Sequence, residues 1–245
     1  MRLGLLSFFF VMVLSAPSWA ATGCIDPATL VRSTASITRY FGDEEKEARP
    51  GVLGMSGSGW FLSPTLMVTV EHVAAAMKLS DQTWKQVDVW TGENKQSVGM
   101  RLRGLAGSYA EKIAVLELQA AFPDAQGFQP RAKPLLPEEP LVSLAYPDER
   151  LRVATGRFVQ YGDGDKFPGM ALLEMYDGND RLVLDHGSSG AAVLDCEGRV
   201  VAVVSKLFVS TIYFMSQAIR IPTGWGSPNV VSLPVGGLRD FARAE

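Results

Sequence analysis

Two histidines occur among the 245 residues, and each stands in a segment able to take part in acyl-transfer chemistry. His72 follows the apolar run Val68-Thr69-Val70-Glu71, and His186 directly precedes Gly187-Ser188-Ser189-Gly190-Ala191. A serine hydroxyl is a weak nucleophile, so it attacks a carbonyl efficiently only when a neighbouring imidazole takes its proton. His72 is the candidate base and Ser189 the candidate nucleophile; Ser188 is the alternative one register away. The glycine before Ser188 permits a turn in which two main-chain N–H groups converge, an arrangement that stabilises an oxyanion by about 2.7–4 kcal/mol per donor in a dry site. His186 either shapes that turn or lines a substrate cleft. A metal site from His72, His186 and Glu71 has no compact ligand spacing, and no cofactor is expected. Serine after histidine is also the reverse of the α/β-hydrolase order, and no G-x-S-x-G pentapeptide is present in the second half.

The elements that must position these groups read as short strands. Leu30 to Phe41 is an apolar, β-branched run, followed by a charged segment, Asp43 to Arg49, expected to be a solvated loop. Gly54 to Gly59 reads as a glycine and serine turn, and Trp60-Phe61-Leu62 with Leu66 to Val70 as a hairpin across Ser63-Pro64. Val73 to Met77 is long enough for one helical turn. Gln86 to Thr91, Ser97 to Gly104 and Ile113 to Leu118 are further strands. Ala121 to Pro140 carries five prolines, which excludes a central strand and marks a linker. Beyond it, strands are expected at Leu141 to Ala145, Val153 to Tyr161, Met170 to Met175, Ala192 to Asp195, Val200 to Val204 and Tyr213 to Ile221, with a short helix at Leu238 to Arg243. Many short strands with turn residues between them indicate an all-β sandwich or barrel.

Apolar content of 47% supports a substantial core, and a net charge of −3 provides no basic face for nucleic acid. Residues 1–20 read as a signal peptide: Arg2, then the apolar run Leu5 to Leu14, then Ser18-Trp19-Ala20 with cleavage after Ala20. That run is too short to span a bilayer, no later run reaches the required length, and the mature protein is expected to be periplasmic or secreted. Export permits disulfides, so Cys24 and Cys196 are expected to bridge. Acylation of Cys24 is the alternative, although Ala21-Thr22-Gly23 lacks the large aliphatic residue of a lipobox.

Several blocks, in order, resemble the trypsin-like (chymotrypsin-fold) serine peptidases, especially the small secreted bacterial ones. Gly57-Ser58-Gly59-Trp60-Phe61 is similar to the strand before the catalytic histidine, and Thr69-Val70-Glu71-His72-Val73 to the histidine block. Lys112-Ile113-Ala114-Val115-Leu116 resembles D-I-A-V-L, Ala145-Tyr146-Pro147 resembles G-Y-P, Gly187-Ser188-Ser189-Gly190-Ala191 resembles G-[DN]-S-G-G, and Gly198-Arg199-Val200-Val201 resembles G-x-V-V. The resemblance implies an all-β chain of two antiparallel six-stranded β-barrels with the site between them. Residues 21–135 would form the N-terminal arm and first barrel with His72, and 136–245 the second barrel with Ser189 and a short C-terminal helix. It implies a peptide or protein substrate, an oxyanion hole from Gly187 and Ser189, and a cleft walled by the segment before Ser189 and by Val203-Val204-Ser205-Lys206. Val183, six before Ser189, is not the aspartate of a trypsin pocket, so a basic preference is not expected; Lys206 either favours an acidic side chain or faces solvent.

One position departs from the family. Lys112 stands where the catalytic aspartate belongs, the group that orients the imidazole and whose loss costs about 10⁴ in turnover. Three readings stay open. Glu111 replaces the aspartate if a bulge re-aims it, because a one-residue shift otherwise sends a strand side chain to the opposite face. Alternatively Asp81, Asp88 or Glu71 reaches the ring, or a Ser–His dyad works alone. In the third, the site is degenerate and the fold binds peptides or a partner protein.

Overall fold

The computed structural model describes residues 24–80, 82–163, 165, 167–176, 184, 186–207, 209–214, 217–222, 227–238 and 241, with the main chain alone at 148, 209–214 and 217–222. The signal segment 1–20 lies outside these residues, as does most of the expected helix at 238–243; Val235–Leu238 is a 3₁₀ turn.

The first six strands are β1 (Thr34–Tyr40), β2 (Gly54–Ser63), β3 (Leu66–Val70), β4 (Lys85–Thr91), β5 (Asn94–Ala106) and β6 (Ile113–Leu118), with β-branched residues most frequent in β1, β3 and β4. They pair antiparallel and close in the order β1-β2-β3-β6-β5-β4. The second set is β7 (Pro140–Ala145), β8 (Arg152–Tyr161), β9 (Ala171–Tyr176), β10 (Ala192–Leu194) and β11 (Val200–Leu207), completed after a separate hairpin, β12 (Val209–Phe214) and β13 (Gln217–Pro222), by β14 (Val230–Pro234). It closes as β10-β11-β14-β9-β8-β7. Closure removes the unpaired edges that would otherwise invite aggregation. Ile37, Trp60, Phe61, Met67 and Leu116 are fully buried in the first barrel, and Phe158, Leu173 and Met175 fill the second.

Four local expectations change. Gly54 to Gly59 is strand rather than turn, because neighbouring chain packs where side chains would stand. A Cβ on Gly54 would lie 2.5 Å from the Arg39 carbonyl oxygen, and one on Gly57 would lie 2.8 Å from Val73 Cγ1. The run starting at Leu30 is first a 3₁₀ turn, Pro27–Ser33, capped by Asp26, whose side chain accepts from the Ala28 N–H. The charged segment is a helix, α1 (Asp43–Ala48), held by Glu45, which accepts from the Gly42 N–H and from the Arg39 guanidinium. The single strand expected over Tyr213 to Ile221 is instead the β12–β13 hairpin, and β14 was not anticipated because prolines at 228 and 234 bracket so short an apolar run.

The proline-rich linker packs first on the first barrel, where the Phe122 and Phe128 N–H groups donate to the Pro64 and Phe61 carbonyls, and then reaches the second through an isolated bridge of Pro130 with Val200. There Arg131 is held between Glu139 and Asp195. Beside it Cys24 is disulfide-bonded to Cys196, tying the N-terminal arm to the β10–β11 turn, so the Cys24 sulfur is not available for a lipid. Among the described residues no helix is long and apolar enough to cross a membrane.

Candidate active site

β3 runs directly into α2 (Glu71–Ala76), whose Val73 and Ala74 are buried against the first barrel. That anchoring sets His72 on the first turn with its side chain about half exposed, at 46%. Its Nδ1 meets Oε1 of Glu111, which lies in the loop between β5 and β6 and is only 10% exposed. An ionised carboxylate can only accept, so Nδ1 is the donor in this contact and Nε2 is the ring nitrogen left for another partner.

Two of the other candidate carboxylates have different partners. Glu71 accepts from the Lys112 N–H at 3.0 Å, and Asp88 pairs with Lys95 at 2.7 Å. Asp81 lies outside the described residues, as does Val183.

Glu111 Oε2 accepts from the Ser205 hydroxyl and lies 3.6 Å from Lys206 Nζ. Adjacent strand residues normally face opposite ways, yet both reach one oxygen. The cause is a bulge: Val204 pairs with Ser232 and Lys206 with Val231, leaving Ser205 without a partner and turning the strand. Burial works against the charge on Glu111, but the hydrogen bonds from His72 and Ser205 and the positive Lys206 outweigh it, holding its carboxyl below the ordinary 4.5.

Ser189 joins this cluster through the same residue. Its hydroxyl donates to the Ser205 carbonyl at 3.2 Å, so Ser205 touches Ser189 with its main chain and Glu111 with its side chain. Ser188 is 1% exposed, whereas Ser189 is only partly buried. The turn around them needs its glycines. Gly187 and Gly190 both have φ of 94°, a conformation unfavourable to side chains. A Cβ on Gly190 would also fall 2.1 Å from the Ser58 carbonyl oxygen. The Gly190 and Ala191 N–H groups donate to Val204 and Ser188, while neither the Gly187 nor the Ser189 N–H has an acceptor among the described residues.

Ser58 of β2 grips this turn from the first barrel. Its N–H donates to the Ser189 carbonyl at 3.0 Å and its hydroxyl to the Gly187 carbonyl at 2.7 Å, while the same hydroxyl accepts from the Tyr146 N–H at 2.9 Å. Sequence reasoning took Ser58 only as part of a strand motif; its place between two glycines was the available signal. Ser205, taken as cleft wall, also holds Glu111.

Glu71, His72, Ala110, Glu111, Ser205 and Lys206 line an open cavity of about 440 Å³. His186 is exposed on the turn before Gly187 and is not part of that lining. Among the described residues, no group of three or more His, Cys, Asp and Glu side chains is placed to hold a metal.

The fold matches solved proteases at low sequence identity. The active form of the Rv3671c protease from M. tuberculosis has a TM-score of 0.58 at 18% identity, covering 98% of this chain and 92% of that one. The inactive form of the Rv3671c protease gives 0.57 at 17% identity, covering 87% and 88%. Deg5 gives 0.55 at 14% identity, covering 84% of each chain. No curated protein sequence matches the chain. The trypsin-like peptidase domain family matches residues 57–203, a span running from the strand before His72 through the Ser189 turn into β11, and the chain belongs to that family.

Proposed function

We propose that this protein is an exported serine endopeptidase in which Ser189 is the nucleophile, His72 the general base and Glu111 the carboxylate that orients it. The observation that carries this reading is the Glu111 carboxylate against His72 Nδ1, beside a Ser189 turn linked to it through Ser205.

His72 Nε2 takes the hydroxyl proton as Ser189 Oγ bonds to the scissile carbonyl carbon. The resulting oxyanion is received by the Gly187 and Ser189 N–H groups. Collapse breaks the C–N bond, the imidazolium returns its proton to the leaving amine, and an acyl-enzyme remains. Water then repeats the sequence and frees Ser189. Glu111 keeps the Nδ1 proton in place and stabilises the imidazolium between these transfers. The Ser189 hydroxyl rests on the Ser205 carbonyl; the mechanism requires it to turn to His72, as catalytic hydrogen bonds commonly tighten only on substrate binding.

Export is supported by the leader-like residues 1–20 and by the Cys24–Cys196 bond. Peptide and protein chains are the substrates, His186 flanks the cleft, and the two halves, 21–135 and 136–245, each contribute one side of the site.

A silent, peptide-binding member of the fold is the second reading, favoured by the Ser189 hydroxyl bonding to Ser205 rather than His72. A fluorophosphonate probe decides between them. The protease reading expects labelling of folded protein at Ser189, abolished in Ser189→Ala and in His72→Ala; no labelling of folded wild type leaves the binding module.

A further inference from the structure

We propose that Glu71 is a positioning residue that makes Glu111 usable as the partner of His72, an inference that rests on the protease reading above. The family's aspartate register falls on Lys112, and a carboxylate one residue earlier in an extended segment would face away from the ring. Glu111 nevertheless meets His72 Nδ1. The main chain at Lys112 is held on both sides by one residue. The Glu71 N–H donates to the Lys112 carbonyl at 3.0 Å, and the Lys112 N–H donates to Glu71 Oε2 at 3.0 Å.

This pair of hydrogen bonds fixes the main chain immediately after Glu111 before β6 begins at Ile113. Glu71 is also the residue preceding His72, so a single clamp sets the base and its carboxylate relative to each other. The longer glutamate side chain at 111 then spans from the displaced main-chain position to the ring. No hydrogen bond joins the Glu71 side chain to the His72 ring; it acts through Glu111. Without the clamp the Lys112 peptide can rotate, and Oε1 leaves Nδ1.

The competing role for Glu71 is purely local: a negative charge on the first turn of α2, favourable to the helix dipole. Two variants of the full-length oxidised protein separate the roles. Glu71→Gln loses the charge but keeps an acceptor of the same reach. Glu71→Asp keeps the charge but falls short of the Lys112 N–H. The clamp predicts that Glu71→Gln retains most turnover on a peptide substrate, while Glu71→Asp and Glu71→Ala lose up to about 100-fold in kcat with little change in KM. In a Glu111→Gln background, Glu71→Ala should add no further loss. A helix-charge role predicts the opposite ranking, and that ranking would overturn the clamp, as would unchanged kcat in Glu71→Ala.

A readout independent of turnover is the far-downfield proton resonance of His72 Nδ1–H, assigned against His186→Gln. It should persist in Glu71→Gln and vanish in Glu71→Asp. Should wild type fail to label with the fluorophosphonate, the protease reading falls and this resonance alone judges the clamp. Persistence in Glu71→Asp rejects it, whether or not Glu71→Ala folds.

Discussion

The two barrels are the same object used twice. Numbered in chain order within each barrel, the first closes with its strands in the order one, two, three, six, five, four, and the second does likewise with β14 as its sixth strand. In both, the connection from third to fourth strand carries a group of the site: α2 with His72 in the first, the Gly187–Ala191 turn with Ser189 in the second. They differ in how that connection is held. The first barrel supports His72 through α2 packing, the Glu71–Lys112 bonds and Glu111 on its own fifth-to-sixth loop, with Glu111 itself steadied by Ser205 of β11. The second barrel's fifth-to-sixth connection runs instead through the β12–β13 hairpin. Its serine turn is held partly by its own β11, through Gly190 to Val204, and partly from the first barrel by Ser58. A repeated wall thus provides rigidity, while chemistry resides in loops that differ between copies.

Breaking the histidine side of the site should cost most. Glu111→Gln keeps the shape but removes the charge that fixes the Nδ1 proton, and kcat on a peptide substrate should fall by about 10⁴, the loss typical of a triad carboxylate. Unchanged kcat would remove Glu111 from the mechanism.

Severing the tie between the N-terminal arm and the second barrel comes next. Cys24 and Cys196 are 172 positions apart, and replacing both by serine should destabilise the fold by about 2–5 kcal/mol, the usual cost of losing a native disulfide. Urea midpoints at equal m-value measure this.

Ser58→Ala tests the cross-barrel grip. It leaves the buried Tyr146 N–H and the half-buried Gly187 carbonyl without their partner, for a loss of about 1–3 kcal/mol. Fluorophosphonate labelling should slow while the Nδ1–H resonance of His72 is kept, showing that damage lies in the serine turn alone. Equal damage to both would mean the halves are not separately supported.

Lys206→Met should have the smallest effect. Glu111 ionises below its ordinary 4.5, so the stability it contributes is present above that pH and is lost as pH falls through the folded-state value. Removing the Lys206 cation withdraws one cause of the depression, so the carboxyl should titrate, and that stability fade, at higher pH than in wild type. Carbon-13 NMR of the Glu111 carboxyl follows it directly.

Much of this was legible in advance. Strands β3, β4 and β6 to β9 lie within a residue or so of the short apolar runs between turn residues, because strands buried on both faces, such as β3, β6 and β7, stay apolar along their length. The shift at β2 has a different origin: glycine carries no side chain to report a face, and its role at Gly54 and Gly57 is to admit Arg39 and Val73. The β12–β13 hairpin and β14 were hidden by proline and by the absence of a strong turn dipeptide.

The candidate site divides along the same line. Residue types and chain order alone singled out His72, Ser189 and the glycines beside it, because the chemistry admits few side chains and the sharp turn admits few backbones. Which carboxylate meets the imidazole was a three-way question that local pattern could not resolve, since Glu111 and Lys112 differ by half a pleat. The tertiary structure decided it through contacts between segments distant in the chain: Glu71 against Lys112, the bulge that turns Ser205 onto Glu111, and Ser58 against the serine turn. Local propensity acts over neighbouring residues, whereas the direction of a loop side chain depends on whatever folding brings against it.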